Sequence, residues 1–263
     1  MTATPTAEHR GVALVTGAAK RIGRVIALRL ARHGYDVAIH YNGSAEDADN
    51  VCAEIRALGR NSACFCADLA DRSAVDRLLP ACASSLGAPS CLINNASLFV
   101  FDDPATMTSE SWDRHLAVNL TAPVSLAQQF AKLQEADRAA SIINIIDQRV
   151  LRPTPEFFSY AISKAALWDA TRMLAQAFAP TVRVNAIGPG PVLANIHQSP
   201  DDFAAEAAST LLGRQTDPTE IADAVCFILD APAMTGQMIA LDSGQHLSWS
   251  SELGLAERSD ESR

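Results

Sequence analysis

Val12-Ala13-Leu14-Val15-Thr16-Gly17-Ala18-Ala19-Lys20-Arg21-Ile22-Gly23 reads as a strand, a turn and the start of a helix in one run. The apolar, partly β-branched stretch from Val12 to Val15 has the character of a buried strand. Gly17 lets the chain turn sharply, and Gly23 lets the following helix approach the sheet closely. That helix is legible in Ile22, Val25, Ile26 and Leu30, which recur at helical spacing. A helix that opens straight out of a strand presents unpaired N–H groups and a positive dipole end, which suits the pyrophosphate of a dinucleotide.

Outward from this turn the chain keeps alternating. Strands are predicted over 12–16, 37–41, 62–67, 91–94, 141–146, 181–186 and 238–241, with helices over 45–58, 72–86, 110–136 and 157–178 between them. This pattern predicts one α/β domain over 11–250, a Rossmann-like doubly wound parallel sheet of about seven strands. Right-handed crossovers then bring Asn95, Asp147 and Gly190 to one carboxyl edge, where ligands bind. The segment 191–213, with His197, Pro200 and an alanine-rich piece, interrupts the alternation. Asp217-Pro218-Thr219-Glu220 reads as an N-cap followed by proline at the first helical position, opening a helix that runs to Leu229. The polar ends, 1–10 and 251–263, are expected to be mobile tails.

With 263 residues, 48% of them hydrophobic, the chain can bury one large core. No apolar run reaches the roughly eighteen residues of a membrane span, and the first residues lack a basic-then-apolar leader. A cytoplasmic protein with no membrane partner is therefore expected. A net charge of −9 argues against nucleic acid as a partner, although local basic residues can still bind phosphate. The six cysteines, at 52, 64, 66, 82, 91 and 226, show neither a C-x-x-C pair nor zinc spacing, so reduced, mostly buried thiols and no metal are expected. Cys64 and Cys66 fall on one face of a strand.

The chemistry centres on Phe157-Phe158-Ser159-Tyr160-Ala161-Ile162-Ser163-Lys164, a helical run in which Tyr160 and Lys164 share a face. An ammonium beside the phenol is expected to lower its pKa from the usual ~10 and ready it as a proton donor near neutral pH. Asp147 lies thirteen residues before Tyr160. At the end of the second strand, no acidic residue occurs at His40, Tyr41 or Asn42 to take a ribose 2′-hydroxyl. Polar groups at His40, Asn42 and Ser44 suit a 2′-phosphate instead, which favours NADPH. Ser44 also reads as a plain N-cap before Ala45.

From Gly11 to Leu247 these residues resemble the short-chain dehydrogenase/reductase family. The resemblance rests on the glycine turn, Asp68-Leu69 after the third strand, Asn94-Asn95-Ala96 after the fourth, Asn119, Tyr160-x-x-x-Lys164 and Gly188-Pro189-Gly190. It implies a catalytic group of Asp147, Tyr160, Lys164 and Asn119. It also implies cofactor contacts from Gly17, Lys20, Arg21, Ile22, Gly23, His40, Tyr41, Asn42, Ser44, Asp68, Leu69, Asn95, Ala96, Ser97, Tyr160, Lys164, Pro189 and Gly190. Two departures, Arg21 for the middle glycine and Asp147 for the usual serine, are similar to the pteridine reductase branch, which includes dihydromonapterin reductases. In that branch the arginine helps hold phosphate and pterin, and the resemblance assigns Arg21, Ser97, Phe99, Asp147 and Tyr160 to the substrate. Gly43 departs from it, standing where that branch often carries a basic residue, so Lys20 or Arg21 is left to supply the charge. Segment 191–213 is similar to the family's substrate-covering loop, and the helices over 110–136 and 157–178 to the ones that build its homotetramers.

Reducing a pterin or dihydropterin takes a hydride at carbon and a proton at nitrogen. Tyr160 can give that proton, with Asp147 orienting it, relaying from water, or accepting from ligand amino groups. Phe99 suits a planar heterocycle, since offset stacking adds about 0.5 to 1.5 kcal/mol beyond area burial, but a phenylalanine after a buried strand also reads as core. The leading expectation is an NADPH-dependent pteridine reductase acting on dihydrobiopterin or dihydromonapterin, with dihydrofolate as a further substrate. The alternatives are a short-chain reductase of a carbonyl substrate, in which Asp147 takes the serine's positioning role, and an NADP-binding regulator without turnover.

Overall fold

A computed structural model describes residues 8–135, 139–194 and 198–248. The predicted tails therefore lie outside the described residues, apart from 8–10 at the N-terminal side, and so does His197. The elements alternate as β1 (Gly11–Val15), α1 (Arg21–Arg32), β2 (Tyr35–Tyr41), α2 (Ala45–Ala57), β3 (Ser62–Cys66), α3 (Arg72–Leu86), β4 (Pro89–Asn94), α4 (Ser109–Leu116), α5 (Ala122–Lys132), β5 (Ala140–Ile145), α6 (Phe158–Phe178), β6 (Val182–Pro189), α7 (Pro200–Ala208), α8 (Pro218–Asp230) and β7 (Met238–Leu241). All seven strands pair in parallel in the order β3-β2-β1-β4-β5-β6-β7. The order reverses between β1 and β4, and at such a switch point the carboxyl ends of the strands open a crevice.

Alternate residues of each strand feed the two faces. Val15, Val37, Ile39, Ile93 and Ile143 pack with Ile26 and Leu30 of α1 and with Ile221 and Val225 of α8. Leu14, Leu92 and Ile142 pack on the other face with Leu79 of α3 and with Leu126 and Phe130 of α5. Burial on both faces explains why the central strands read as continuous apolar runs. Asp217 caps α8 through the Thr219 N–H, with Glu220 closing a capping box and Pro218 in the first turn.

The single helix expected over 110–136 is instead α4, a π-helical turn over Ala117–Thr121, and α5, which ends at Lys132. Pro123 explains the break. It lacks the N–H that would bond the Asn119 carbonyl, and its ring crowds that carbonyl. The chain accommodates it by widening one turn, so that the Ala122 N–H reaches back to the Ala117 carbonyl. Cys52, Cys82, Cys91 and Cys226 are buried, and all six thiols are free. Cys66 departs from the expected burial because it ends β3, an edge strand, where its exposed thiol donates to the Asn42 carbonyl. No helix among the described residues is long and apolar enough to cross a membrane.

Candidate active site

The carboxyl ends of β1 and β4 are joined by Thr16 and Asn95. The Thr16 hydroxyl accepts from the Asn95 and Ala96 N–H groups at 2.9 and 3.0 Å, and Asn95 Nδ2 donates to the Thr16 carbonyl at 2.8 Å. The Gly17 turn runs at φ +63°, and a Cβ on Gly23 would lie 2.2 Å from the Gly17 carbonyl oxygen. Both glycines are thus required, one by conformation and one by proximity. No side chain caps the start of α1 and no acidic residue occupies its first turn, so its leading N–H groups and positive dipole end stay available to an anion. This cradle fits a pyrophosphate. Gly190 closes the opposite rim, where an added Cβ would meet Asp242 Cα at 2.6 Å.

His40 does not present a donor for a 2′-phosphate. It is 2% exposed, its Nδ1 accepts from the Gly17 N–H at 3.1 Å, and its Nε2 meets the Ala67 carbonyl at 3.0 Å. A ring that accepts at Nδ1 carries its proton on Nε2, and burial lowers its pKa, so the imidazole is a neutral brace beneath the glycine turn. Lys20 pairs with Asp47 at 2.8 Å, and the Arg21 guanidinium donates to the Leu193 and Ala194 carbonyls at 3.1 and 2.9 Å. Both basic side chains are therefore engaged within the protein. Asn42 is exposed, Tyr41 is half-buried, and half-buried Ser44 starts α2 without a capping bond from its hydroxyl. Past β3, exposed Asp68 accepts from the Ala70 N–H while Leu69 is buried.

At the ends of β5 and α6 the expected trio assembles. The Tyr160 phenol donates to Asp147 Oδ2 at 2.8 Å, while Asp147 Oδ1 accepts from the Arg149 N–H at 2.8 Å. Lys164, 2% exposed, donates to the Ile145 carbonyl at 2.8 Å, and its Nζ lies 5.7 Å from the Tyr160 ring centroid. Burial raises the Asp147 pKa against the pull of the Arg149 N–H and the phenol. Burial and then the Asp147 charge hold the Tyr160 phenol well above its ordinary range, and burial pushes Lys164 down to about 8. The expected lowering of the phenol by Lys164 is therefore reversed here. The lysine donates to the Ile145 carbonyl, its Nζ 5.7 Å from the centre of the phenol ring, while burial and the directly hydrogen-bonded Asp147 carboxylate act on the phenol more strongly.

Asn119, read as catalytic, sits in the π-helical turn, where its hydrogen bonds go elsewhere. Oδ1 accepts from the Leu98 N–H at 2.8 Å and the Ser97 hydroxyl at 3.3 Å, while Nδ2 donates to the Leu98 carbonyl and Ser163 Oγ, each at 3.0 Å. In this structure it positions the 97–99 loop instead of touching the phenol. That loop delivers half-buried Phe99, stacked on Phe157 at 4.2 Å and 13° and edge-on to Tyr160 at 4.6 Å and 85°. Thr16, Phe157 and a buried group around Asp102 were not anticipated as site residues. Thr16 could have been found, since a hydroxyl at the exit of a strand into a glycine turn is placed to pair loop amides.

Residues 17–246 match the family model described as enoyl-(acyl carrier protein) reductase. The chain is similar to the 3-oxoacyl-[acyl-carrier-protein] reductase FabG of Staphylococcus aureus (strain Mu50), with 32% identity over 240 residues that cover 89% of this chain and 98% of the relative. Its structure is similar to that of FolM alternative dihydrofolate reductase 1 from Brucella canis complexed with NADP, at TM-score 0.90 and 42% identity, covering 95% of this chain and 99% of the other. It is also similar to the angucycline C-6 ketoreductase LanV with bound NADP, at TM-score 0.84 and 28% identity, over 92% and 100% of the two chains.

Proposed function

This chain belongs to the short-chain dehydrogenase/reductase family, and we propose that within it the protein is an NADPH-dependent reductase of dihydropterins. The observation that carries the reading is the pairing of the Tyr160 phenol with a carboxylate, Asp147, where the ring of Phe99 also meets Tyr160 edge to face. A ketone oxygen needs hydrogen-bond donors, and an ionised carboxylate is an acceptor only. A pterin ring offers amino groups to that acceptor and a flat face to Phe99. The likeness to FolM, crystallised with NADP, supports both the substrate class and the cofactor.

NADPH supplies the hydride when bound, and the cradle of Gly17, Gly23 and the start of α1 would hold its pyrophosphate, with Asn42 and Ser44 at the end of β2. The chain's own residues handle the proton. Tyr160 gives it to the ring nitrogen as the C=N bond becomes CH–NH, and the Lys164 ammonium stabilises the phenolate left behind. Asp147, ionised while it holds the phenol and the ligand amino groups, then relays a proton from water to that oxygen, a role that its burial-raised pKa suits. A second reading, reduction of a carbonyl, is supported by the likeness to FabG and LanV, and in it Tyr160 donates to oxygen with Asp147 holding the phenol in place. We place the protein in the cytoplasm as a homotetramer built through α5 and α6, a reading supported by the exposed apolar side chains of Ile162 and Met173 on α6.

The test is NADPH oxidation with dihydrobiopterin and dihydromonapterin against a ketone panel. Pterin-dependent oxidation that methotrexate competes with is expected. It should drop roughly a hundredfold or more in kcat in Tyr160→Phe, the loss of a general acid, with NADPH affinity retained. Turnover of ketones alone would overturn the pterin reading in favour of the second.

A further inference from the structure

The helix that carries Tyr160 starts without a cap of its own. The residue before it, Phe157, stands at φ 53° and ψ 48°, a left-handed conformation in which a bulky side chain is rarely held, and it makes no side-chain capping bond. Two orphan N–H groups of the first turn, those of Phe158 and Ser159, are satisfied from another segment. Asp102, 3% exposed on the loop that carries Phe99, accepts from the Phe158 N–H through its carbonyl at 3.1 Å and from the Ser159 N–H through Oδ1 at 3.0 Å. Its Oδ2 accepts from the Ser159 hydroxyl and, at 2.9 Å, from the Ser111 hydroxyl.

His115 completes the cluster. Fully buried, it accepts from the Val100 N–H at Nε2, and Nδ1 lies 2.9 Å from the Ser111 carbonyl and 2.7 Å from Ser159 Oγ, the pattern of a neutral ring protonated at Nδ1. Burial works to raise the Asp102 pKa, and donation from Ser159 and Ser111 overrides it, so the carboxylate stays ionised at the positive end of α6. A buried, ionised carboxylate with this set of partners is not needed for packing alone. It ties together the two segments that carry the aromatic face and the proton donor.

We propose that Asp102 is a positioning residue that caps the catalytic helix from the substrate-side loop, holding Phe157 in its left-handed conformation against Phe99 and so fixing that face relative to Tyr160. Backbone strain of this kind persists only where the surroundings over-determine it. The brace rests on the functional reading only in taking Phe99 as the surface that meets substrate.

The test is a double-mutant cycle on Asp102 and Phe157, run with the substrate that the wild-type enzyme turns over, dihydrobiopterin or a ketone. Absence of pterin turnover then fails the functional reading alone. Asp102→Ala should raise KM about tenfold with a smaller loss in kcat and with NADPH affinity within about twofold of wild type. Asp102→Asn, which keeps an acceptor for the Ser159 N–H, should recover most of the loss. In a Phe157→Ala background, Asp102→Ala should add nothing further to KM, because both changes remove one device. Should Asp102→Ala fail to fold, Asp102→Ser, whose shorter side chain gives up the reach to the Ser159 and Ser111 hydroxyls while staying polar, enters the same cycle with the same expected coupling. Additive effects on KM, or NADPH affinity falling in step with KM, would overturn the brace.

Discussion

Lys164 contributes a titration as well as a charge. Burial lowers it from the usual 10.5 to about 8, so the ammonium proposed to steady the phenolate formed on proton transfer is lost as pH rises through that value. Turnover should therefore fall above about pH 8 in a single ionisation visible in the kcat/KM profile, which reports the groups of the free enzyme. The sign for stability is opposite. Between about 8 and 10.5 the unfolded chain binds the proton that the folded chain has released, so this group makes stability rise with pH across that window, and the loss of rate is not unfolding. An arginine does not titrate in this range. The residual turnover of Lys164→Arg should lose the alkaline limb, and a limb that persists unchanged would assign it to another group. Spacing alone put Tyr160 and Lys164 on one helix face, and the family resemblance was needed to bring Asp147 to them. What neither could foresee is that the lysine turns to the Ile145 carbonyl, or that His40 turns inward, because the partners that decide both, Ile145, Gly17 and Ala67, come from other segments.

Among the elements, the strand, turn and helix that open the fold were legible because each of their requirements is local. The strand is apolar, the turn needs a positive φ, and the helix has its own periodicity. The close approach at Gly23 gives a direct test. An alanine there would place Cβ 2.2 Å from the Gly17 carbonyl oxygen and 2.5 Å from Asn95 Nδ2, so backbone must move. Overpacking of this kind costs about 1 to 3 kcal/mol. At roughly 2 to 4 °C per kcal/mol for a chain of this size, Gly23→Ala should melt several degrees lower and bind NADPH more weakly. Gly43, with nothing within 4 Å of an added Cβ, is the control, and Gly43→Ala should melt as the wild type does. Equal melting of the two variants would mean that the approach at Gly23 relaxes freely. The break between α4 and α5 was less legible, since a proline in an apolar helical run signals a kink but not the turn that absorbs it, and the register of Asn119 depends on that turn. The brace at Asp102 was not legible at all. An acidic residue in a loop reads as solvated until the helix it caps, more than fifty positions later, is folded against it.

On the scale of the whole molecule, the net charge of −9 keeps the surface polar on average, yet several large apolar side chains remain outside. Met173 is 66% exposed and Ile162 39%, three turns apart on one side of α6, and Phe227 on α8 is 60% exposed. Scattered apolar residues are ordinary on a monomer, but an aligned pair on a long helix is what a self-complementary two-fold contact uses. A homotetramer should therefore sediment as four chains, with α6 of one protomer against α6 of its partner. In a two-fold contact each substitution acts twice, so Met173→Glu places two carboxylates in the same apolar seam without touching the interior. That variant should sediment as a smaller species while keeping the far-ultraviolet circular dichroism of the wild type. Because Tyr160 and Lys164 lie on the buried side of the same helix, its NADPH affinity should also stay within about twofold of the wild type. A wild-type protein that sediments as a single chain would remove the tetramer, and a Met173→Glu variant that stays tetrameric would move the interface away from this face of α6.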